Sequence, residues 1–311
     1  MRLLLLLLLA LGCAERPMAV DRTEFAFGSY VRVRLDASNQ ATADSATQAV
    51  FRRLHQLDTL WSSFPGGSEL ARVNKTGRER VSPGTRELVA AALRLAGETS
   101  GALDITVGPL VCAWGFHDSV NRVPGDNELV GLLARVGSGR VVLRADSVLL
   151  EPGTVLDFGA LAVGAAVDEV VGLARDAGAI AGLVDAGGDI RVFGDRDWRI
   201  GVRHPRADSV MRVLVLRDRA VATSGDYQKF FEAGGRRWCH IFDPRTGRPA
   251  SGCASVTVVA PTALTADAWS TALFVLGPDG LELVRGLDSI AVLMVCPAGD
   301  SLVDYTAGIL P

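Results

Sequence analysis

Residues 155–193 read VLDFGALAVGAAVDEVVGLARDAGAIAGLVDAGGDIRVF. Val155 to Phe158 is apolar and extended in character. From about Leu161 to Ala177, Ala, Val and Leu recur on one face, which predicts a helix. A strand follows over 181–193, broken by the pair Gly187-Gly188. The unit is strand, helix, strand, but it does not repeat. Upstream, 23–35 alternates as a strand, 39–60 carries apolar residues at helical spacing, and Ser68 opens a short helix that Asn74 ends. Pro83 to Glu98 is an amphipathic helix with Leu88, Ala92, Leu95 and Ala96 on one face, stopped at Ser100-Gly101. Residues 102–118 are apolar but cut by Gly and Pro, so they read as a buried irregular segment. Asp126 to Val136 reads as a helix and Val141 to Leu150 as a hairpin. Downstream, strands at 198–203, 210–216, 220–225, 239–242 and 253–259 continue the sheet. A helix over 265–276, part of another at 281–285 and a last strand at 290–295 complete the chain. Strands and helices mix without steady alternation, which favours α+β over a doubly wound sheet. No repeat or linker is evident, so 23–311 is expected to be a single compact unit.

Composition narrows the function. The chain has 311 residues, 49% hydrophobic and 22% charged, which excludes a disordered protein. A net charge of -3 without a basic block gives no reason to expect a nucleic-acid partner. Cysteines at 13, 112, 239, 253 and 296 form neither a CxxC pair nor a dense disulfide framework. The first twelve residues, MRLLLLLLLALG, hold an apolar run from Leu3 to Leu11. It is short of the roughly 20 residues a membrane helix needs and suits a signal-peptide core. Gly12 then Cys13 resembles a bacterial lipoprotein signal, although Ala10 and Leu11 depart from its usual residues. The reading is a signal peptide over 1–12, a lipidated Cys13 and a flexible tether over 13–22. It places the protein in the bacterial cell envelope, on the inner membrane facing the periplasm. An ordinary signal peptide and a misplaced start remain as alternatives.

Four later segments set polar residues among Gly and apolar ones. In Gly101 to Leu110, Asp104 and Thr106 share a face if the segment is extended; a turn that satisfies backbone groups explains them equally. In Leu156 to Asp168, small residues let a ligand approach the backbone, and the helix N-terminus suits phosphate. There Asp157 also reads as a helix cap and Asp168 as a solvent-facing residue. In the third, Thr223 to Tyr227 is followed by Trp238 to Pro249, with His240 in a short strand beside an Asp-Pro-Arg-Thr-Gly turn. A packed, hydrogen-bonded His is the plain alternative. In the fourth, Asp267 and Thr271 lie at i and i+4 on a helix, a hard-oxygen pair suited to Mg²⁺. A Thr bonding back to its own helix is the other reading.

In order, these segments resemble the ApbE-like FMN transferase family, the bacterial flavin-trafficking lipoproteins. The resemblance rests on Phe27-Gly-Ser29, on Ser62 to Glu69 with Asn74, and on Gly101 to Phe116. It continues through Asp157 to Asp168, Gly187-Gly-Asp189, Thr223 to Tyr227, His240 to Pro249 and Ala266 to Ala272. It implies an ApbE-like, T-fold-like α+β fold of mixed sheets with packed helices. It implies an FAD:protein FMN transferase that cleaves FAD with Mg²⁺. FMN passes to a Thr or Ser hydroxyl of an acceptor protein, and AMP leaves. On this resemblance Asp267, Thr271 and the Ala160 carbonyl hold the metal. Phe27, Asp104, Ile105, Thr106, Asp157, Val163 and Ile241 face the flavin dinucleotide, and His240 accepts the proton of the target hydroxyl. Two residues depart from the family pattern. Val163 stands where many members have Lys, and Phe27 and Ser29 replace Met and Thr. The alternatives are an FAD pyrophosphatase and a non-catalytic flavin-binding lipoprotein, the latter motivated by Val163.

Overall fold

The computed structural model describes residues 18–62, 67–118 and 120–311. The stretch read as a signal peptide and Cys13 lie outside the described residues, as do residues 63–66 within the Ser62 to Glu69 motif.

Eight antiparallel strands form the central sheet, and their order in space is their order in the chain. They are Met18–Ala26 (β1), Ser29–Ala37 (β2), Ala179–Ala186 (β3), Asp189–Phe193 (β4), Ala220–Gly225 (β5), Ser255–Ala260 (β6), Ala291–Ala298 (β7) and Ser301–Ala307 (β8). The long connections between them carry the remaining structure. Gln40–Trp61 (α1), Ala162–Asp176 (α2) and Ala263–Leu276 (α3) pack with the sheet around the main core. On α1, Ala43, Ala46, Val50, Leu54, Leu57 and Trp61 are buried at steps of three and four, the spacing of one helical stripe. Burying each large apolar side chain contributes roughly 1.5–3 kcal/mol. The hairpin Trp198–Arg203 and Val210–Leu216 forms a second core with Val192, Val221, Val259 and Leu293 of the central sheet. Sandwiched between the two cores, β6 is buried at every position.

Several readings are corrected by this arrangement. The strand expected over 23–35 is a hairpin: Phe27 (φ 53°) and Gly28 (φ 72°) both adopt positive φ, the backbone a two-residue antiparallel turn requires. Its first strand begins at Met18 and pairs along its whole length, so it takes in residues 18–22 of the expected tether. The expected strand over 181–193 is likewise two strands, turned at Gly187 and Gly188. The helix at Glu69–Thr76 runs through Asn74 and ends at Gly77, which is left-handed. Segment 198–216 stacks on the sheet instead of continuing it, and Arg236–Cys239 pairs with Phe230–Ala233 in a separate ribbon. The helix Pro83–Glu98 has the expected limits, with Ser82 capping it and Pro83 in its first turn.

Candidate active site

The stretch from Leu156 to Gly164 organises the site. The Asn74 side chain brackets Leu156, accepting from its N–H at 2.7 Å and donating to its carbonyl at 2.9 Å. The Asp157 N–H donates to the Ile105 carbonyl at 2.7 Å, and Gly108 N–H to Val155 at 3.2 Å. Gly108 has no room for a side chain, because a Cβ there would lie 2.6 Å from the Val155 carbonyl oxygen. Asn74, Gly108, Cys112, His117, Leu156 and Asp157 line a cavity of about 530 Å³, within the size range of small-molecule sites. The Asp157 carboxylate accepts from Gly159 N–H at 2.8 Å. Burial pushes the Asp157 carboxyl above its ordinary range, partly offset by that N–H and by His117 and Lys229.

Helices α2 and α3 meet at Gly164. The Gly164 N–H donates to Asp267 Oδ2 at 3.2 Å. A Cβ at Gly164 would sit 2.6 Å from the Ala263 carbonyl oxygen and 2.9 Å from Asp267 Cβ, so only glycine permits this approach. From the other side, Asp168 of α2 caps α3. Its carboxylate accepts from the N–H groups of Ala263 (2.8 Å) and Leu264 (2.9 Å) and pairs with Arg191. Thr262 caps the next position, accepting from Thr265 N–H at 3.2 Å. Asp168 is therefore a structural cap, not a solvent-facing residue.

Asp267 is buried, and its carboxyl is pushed up to about 7, first by burial and also by Asp168, against the Gly164 N–H. Asp189, beside it, is pushed well up by burial and by the charges of Asp267 and Asp185. Thr271 lies one turn beyond Asp267. Ser270 donates to the Asp267 carbonyl at 2.9 Å, so it accepts from Ser224 at 2.8 Å. With its one proton spent, Ser224 accepts from Thr271 at 3.2 Å. This relay leaves the oxygen lone pairs of Thr271 open. The donor set is one carboxylate and one hydroxyl with open lone pairs, to which the family resemblance adds the carbonyl of Ala160. It is all oxygen and fits Mg²⁺, which binds through few protein groups and completes its shell with water and phosphate. No group of three or more His, Cys, Asp or Glu side chains converges among the described residues. A metal here would thus rest on that mixed set. Two carboxyls held above their ordinary range, Asp267 buried and Asp189 half-buried, are the electrostatic counterpart of such a site.

His240 lies just past the ribbon strand Arg236–Cys239, not inside a strand. Its ring Nδ1 is 3.1 Å from the Lys229 carbonyl, which also accepts the His240 backbone N–H. A carbonyl only accepts, so Nδ1 carries the proton and Nε2 keeps a lone pair. The imidazole is pushed down to about 4 by burial and by the Lys229 charge, so it is neutral at neutral pH.

The other expected contacts divide. Thr106 is fully buried and closes a turn, donating from its N–H (2.8 Å) and its hydroxyl (2.6 Å) to Asp104 Oδ1. That is the turn reading of this segment; it is not extended. Ile105 and Ile241 are packed in the main core. Phe27 is partly buried at the β1–β2 turn, its N–H donating to Asp58 at 3.0 Å. Val163 is partly buried in the first turn of α2 against the same core. Asn74, Ser224 and Asp189 stand in the site without a site role assigned from the sequence. All three stand in the quoted motifs, and that was their signal.

The pattern of the ApbE family matches residues 27–294. The FAD:protein FMN transferase of Vibrio cholerae serotype O1 is 35% identical over 316 residues, covering 97% of this chain and 94% of the relative. The protein of the same name in Escherichia coli K12 is 31% identical over 315 residues, with 93% and 90% covered. The crystal structure of the ApbE protein from Thermotoga maritima superposes with a TM-score of 0.86 at 33% identity, covering 92% of this chain and 96% of that one. The apo flavinyl transferase ApbE of Pseudomonas stutzeri gives 0.85 at 31% identity, over 94% and 95%. The chain belongs to the ApbE family.

Proposed function

We propose that this chain is an Mg²⁺-dependent FAD:protein FMN transferase. The observation that carries the reading is the joint at Gly164. It brings the Asp267 carboxylate of α3, one turn from Thr271 on the same helix, against the N-terminus of α2, next to the stretch that lines the cavity. Substrate FAD would lie along Leu156–Gly164, with one end in the cavity and its pyrophosphate toward α3. An acceptor Thr or Ser hydroxyl attacks the FMN-side phosphorus, the pyrophosphate P–O bond breaks, and AMP leaves. His240 Nε2 takes the hydroxyl proton as the new P–O bond forms. The nearby phosphate charges raise its basicity from the low value set by burial and Lys229. Bound at Asp267, Thr271 and the Ala160 carbonyl, Mg²⁺ would neutralise the pyrophosphate and the charge gathering on the leaving AMP. With water in place of the acceptor, the same displacement gives FMN and AMP.

Incubation of purified protein with FAD and Mg²⁺, with and without a Thr-containing acceptor peptide, tests the reading by mass. The expected result is a peptide heavier by FMN and a matching amount of AMP. AMP and FMN without an adduct would indicate a hydrolase. Bound flavin without AMP would indicate a flavin-binding protein, the reading Val163 favours. We further propose that Cys13 is lipidated and holds the domain to the cell-envelope membrane. Cys13→Ser should then leave the membrane fraction. Among the described residues no helix is long and apolar enough to cross a membrane.

A further inference from the structure

We propose that Cys253 and Cys296 form a disulfide, which staples the segment before β6 to strand β7. The two Sγ atoms stand 2.7 Å apart, well inside the van der Waals contact of two sulfur atoms. Both side chains are in the main core, with residue exposures of 1% and 4%. The backbone already fixes the pair. Ala254 N–H donates to the Val295 carbonyl at 2.8 Å, and Ser255 pairs with Val295 in the ladder. On β7, Val292, Met294 and Cys296 point into this core in alternation. The two cysteines therefore face each other without backbone movement, which is the geometric requirement for bridging.

The segment has a functional address. The Ala254 carbonyl accepts from Asp226 N–H at 3.1 Å, inside the Thr-Ser-Gly-Asp-Tyr motif. The Ala250 N–H donates to the Ile241 carbonyl at 2.8 Å, next to His240. Between the cysteines, 43 positions apart, lies the whole of α3 with Asp267 and Thr271. A bridge would close that loop and restrict its unfolded states.

The chemistry is two-step exchange with an external disulfide, such as oxidised glutathione or an oxidised dithiol protein. One cysteine thiolate attacks the external S–S bond and expels a thiol. The second attacks the resulting mixed disulfide and expels the other thiol. The protein loses two electrons and two protons, and the external disulfide gains them. In the folded state burial pushes both thiols up, so the thiolate is scarce and exchange is slow. The bridge is accordingly made during refolding and is then shielded from reductants.

The test is refolding of the full chain in a glutathione redox buffer, then denaturation and alkylation without reductant, digestion with trypsin and mass analysis. Trypsin leaves Cys253 in peptide 246–285 and Cys296 in peptide 286–311. The expected product is these two joined, lighter by two hydrogens than their sum. Reduction should separate them, and Cys112→Ser should not change them. The midpoint of thermal unfolding should be lower by on the order of 5 °C for chain refolded with reductant than for chain refolded in the redox buffer. The Cys253→Ala/Cys296→Ala protein should show no such response. If core substitution prevents folding, the peptide analysis of the unsubstituted chain decides alone. Full alkylation of both cysteines after oxidative refolding would overturn the proposal.

Discussion

Asp168→Ala should weaken the fold and the proposed metal site together, for a reason visible in two hydrogen bonds. Asp168 belongs to α2, yet its carboxylate receives the first two N–H groups of α3, from Ala263 and Leu264. Those groups have no partner inside their own helix. A cap removed to Ala costs about 0.5–2 kcal/mol, and a hydrogen bond to a charged group contributes about 1.5–3 kcal/mol. One carboxylate makes both bonds, so the values do not add in full. The side chains of Asp168 and Arg191 are only 20% and 15% exposed, so the change also leaves a guanidinium poorly solvated. The loss should be about 3 kcal/mol, read from urea denaturation. Asp168→Asn retains an acceptor but not the charge and should lose roughly half as much. Frayed at its first turn, α3 would hold Asp267 and Thr271 less firmly. The Mg²⁺ concentration that half-saturates the thermal shift should rise on the order of tenfold, equivalent to about 1.4 kcal/mol. That readout is independent of turnover. A variant within 0.5 kcal/mol of the parent, with an unchanged Mg²⁺ midpoint, would show that Asp168 neither caps α3 nor supports its ligands.

The Asp267 carboxyl is raised to about 7 in the metal-free protein, so the proposed Mg²⁺ would have to displace a proton below that pH. Affinity for Mg²⁺ should fall about tenfold per pH unit under 7 and level off above it, as calorimetry at pH 6 and 8 will show; equal affinities would contradict it. The same raised carboxyl favours the metal-free fold below the ordinary Asp range, and that contribution is lost as pH rises through 7. Metal-free thermal midpoints across this range should decline accordingly. Gly164→Ala should destabilise by about 1–3 kcal/mol, because its Cβ meets the backbone of Ala263; a neutral result in urea would mean that α2 and α3 can separate freely. Val163→Lys should tighten FAD binding about tenfold or more in a flavin-fluorescence titration, since a charge-assisted bond is worth about 1.5–3 kcal/mol. Unchanged or weaker binding by the folded variant would show that the site is built differently from its relatives.

Local signals decided what could be read from the sequence. The helix at Pro83–Glu98 carries its cap, its Pro and its stop within its own residues, and its limits were legible. The turn at Phe27-Gly28 was not, because a Phe at φ 53° lacks the Asn or Asp that usually marks such a turn. Strand β8 is mostly exposed, so it has no burial alternation to betray it. Alternation over 198–203 gave the buried face of that strand, but not that the face would lie on a second layer. Asp168 looked like a surface residue because its partners are 95 and 96 positions away in sequence. The motif order brought Asp267 and Thr271 into view, while Ser224, 47 positions before Thr271, is joined to it only by the packing of β5 against α3.

The buried acids also explain why the site is built at a helix crossing. Burial raises the carboxyls of Asp189 and Asp267 first, and acidic neighbours add to it: Asp267 and Asp185 for Asp189, Asp168 for Asp267. The nearby Arg191 is already paired with Asp168. Holding such acids together costs stability, and a loop would relieve the strain by moving. Here Gly164 leaves no gap between the helices, Asp168 clamps the start of α3, and the Ser270–Ser224–Thr271 relay ties the same helix to β5. Three independent tethers keep Asp267 from swinging to solvent. The carboxyl can then lower its energy in two ways: it can keep a proton, or it can receive a cation at the same oxygens. A site that holds a proton near neutrality and exposes the open lone pairs of Thr271 one turn away suits the proposed exchange of that proton for a divalent ion.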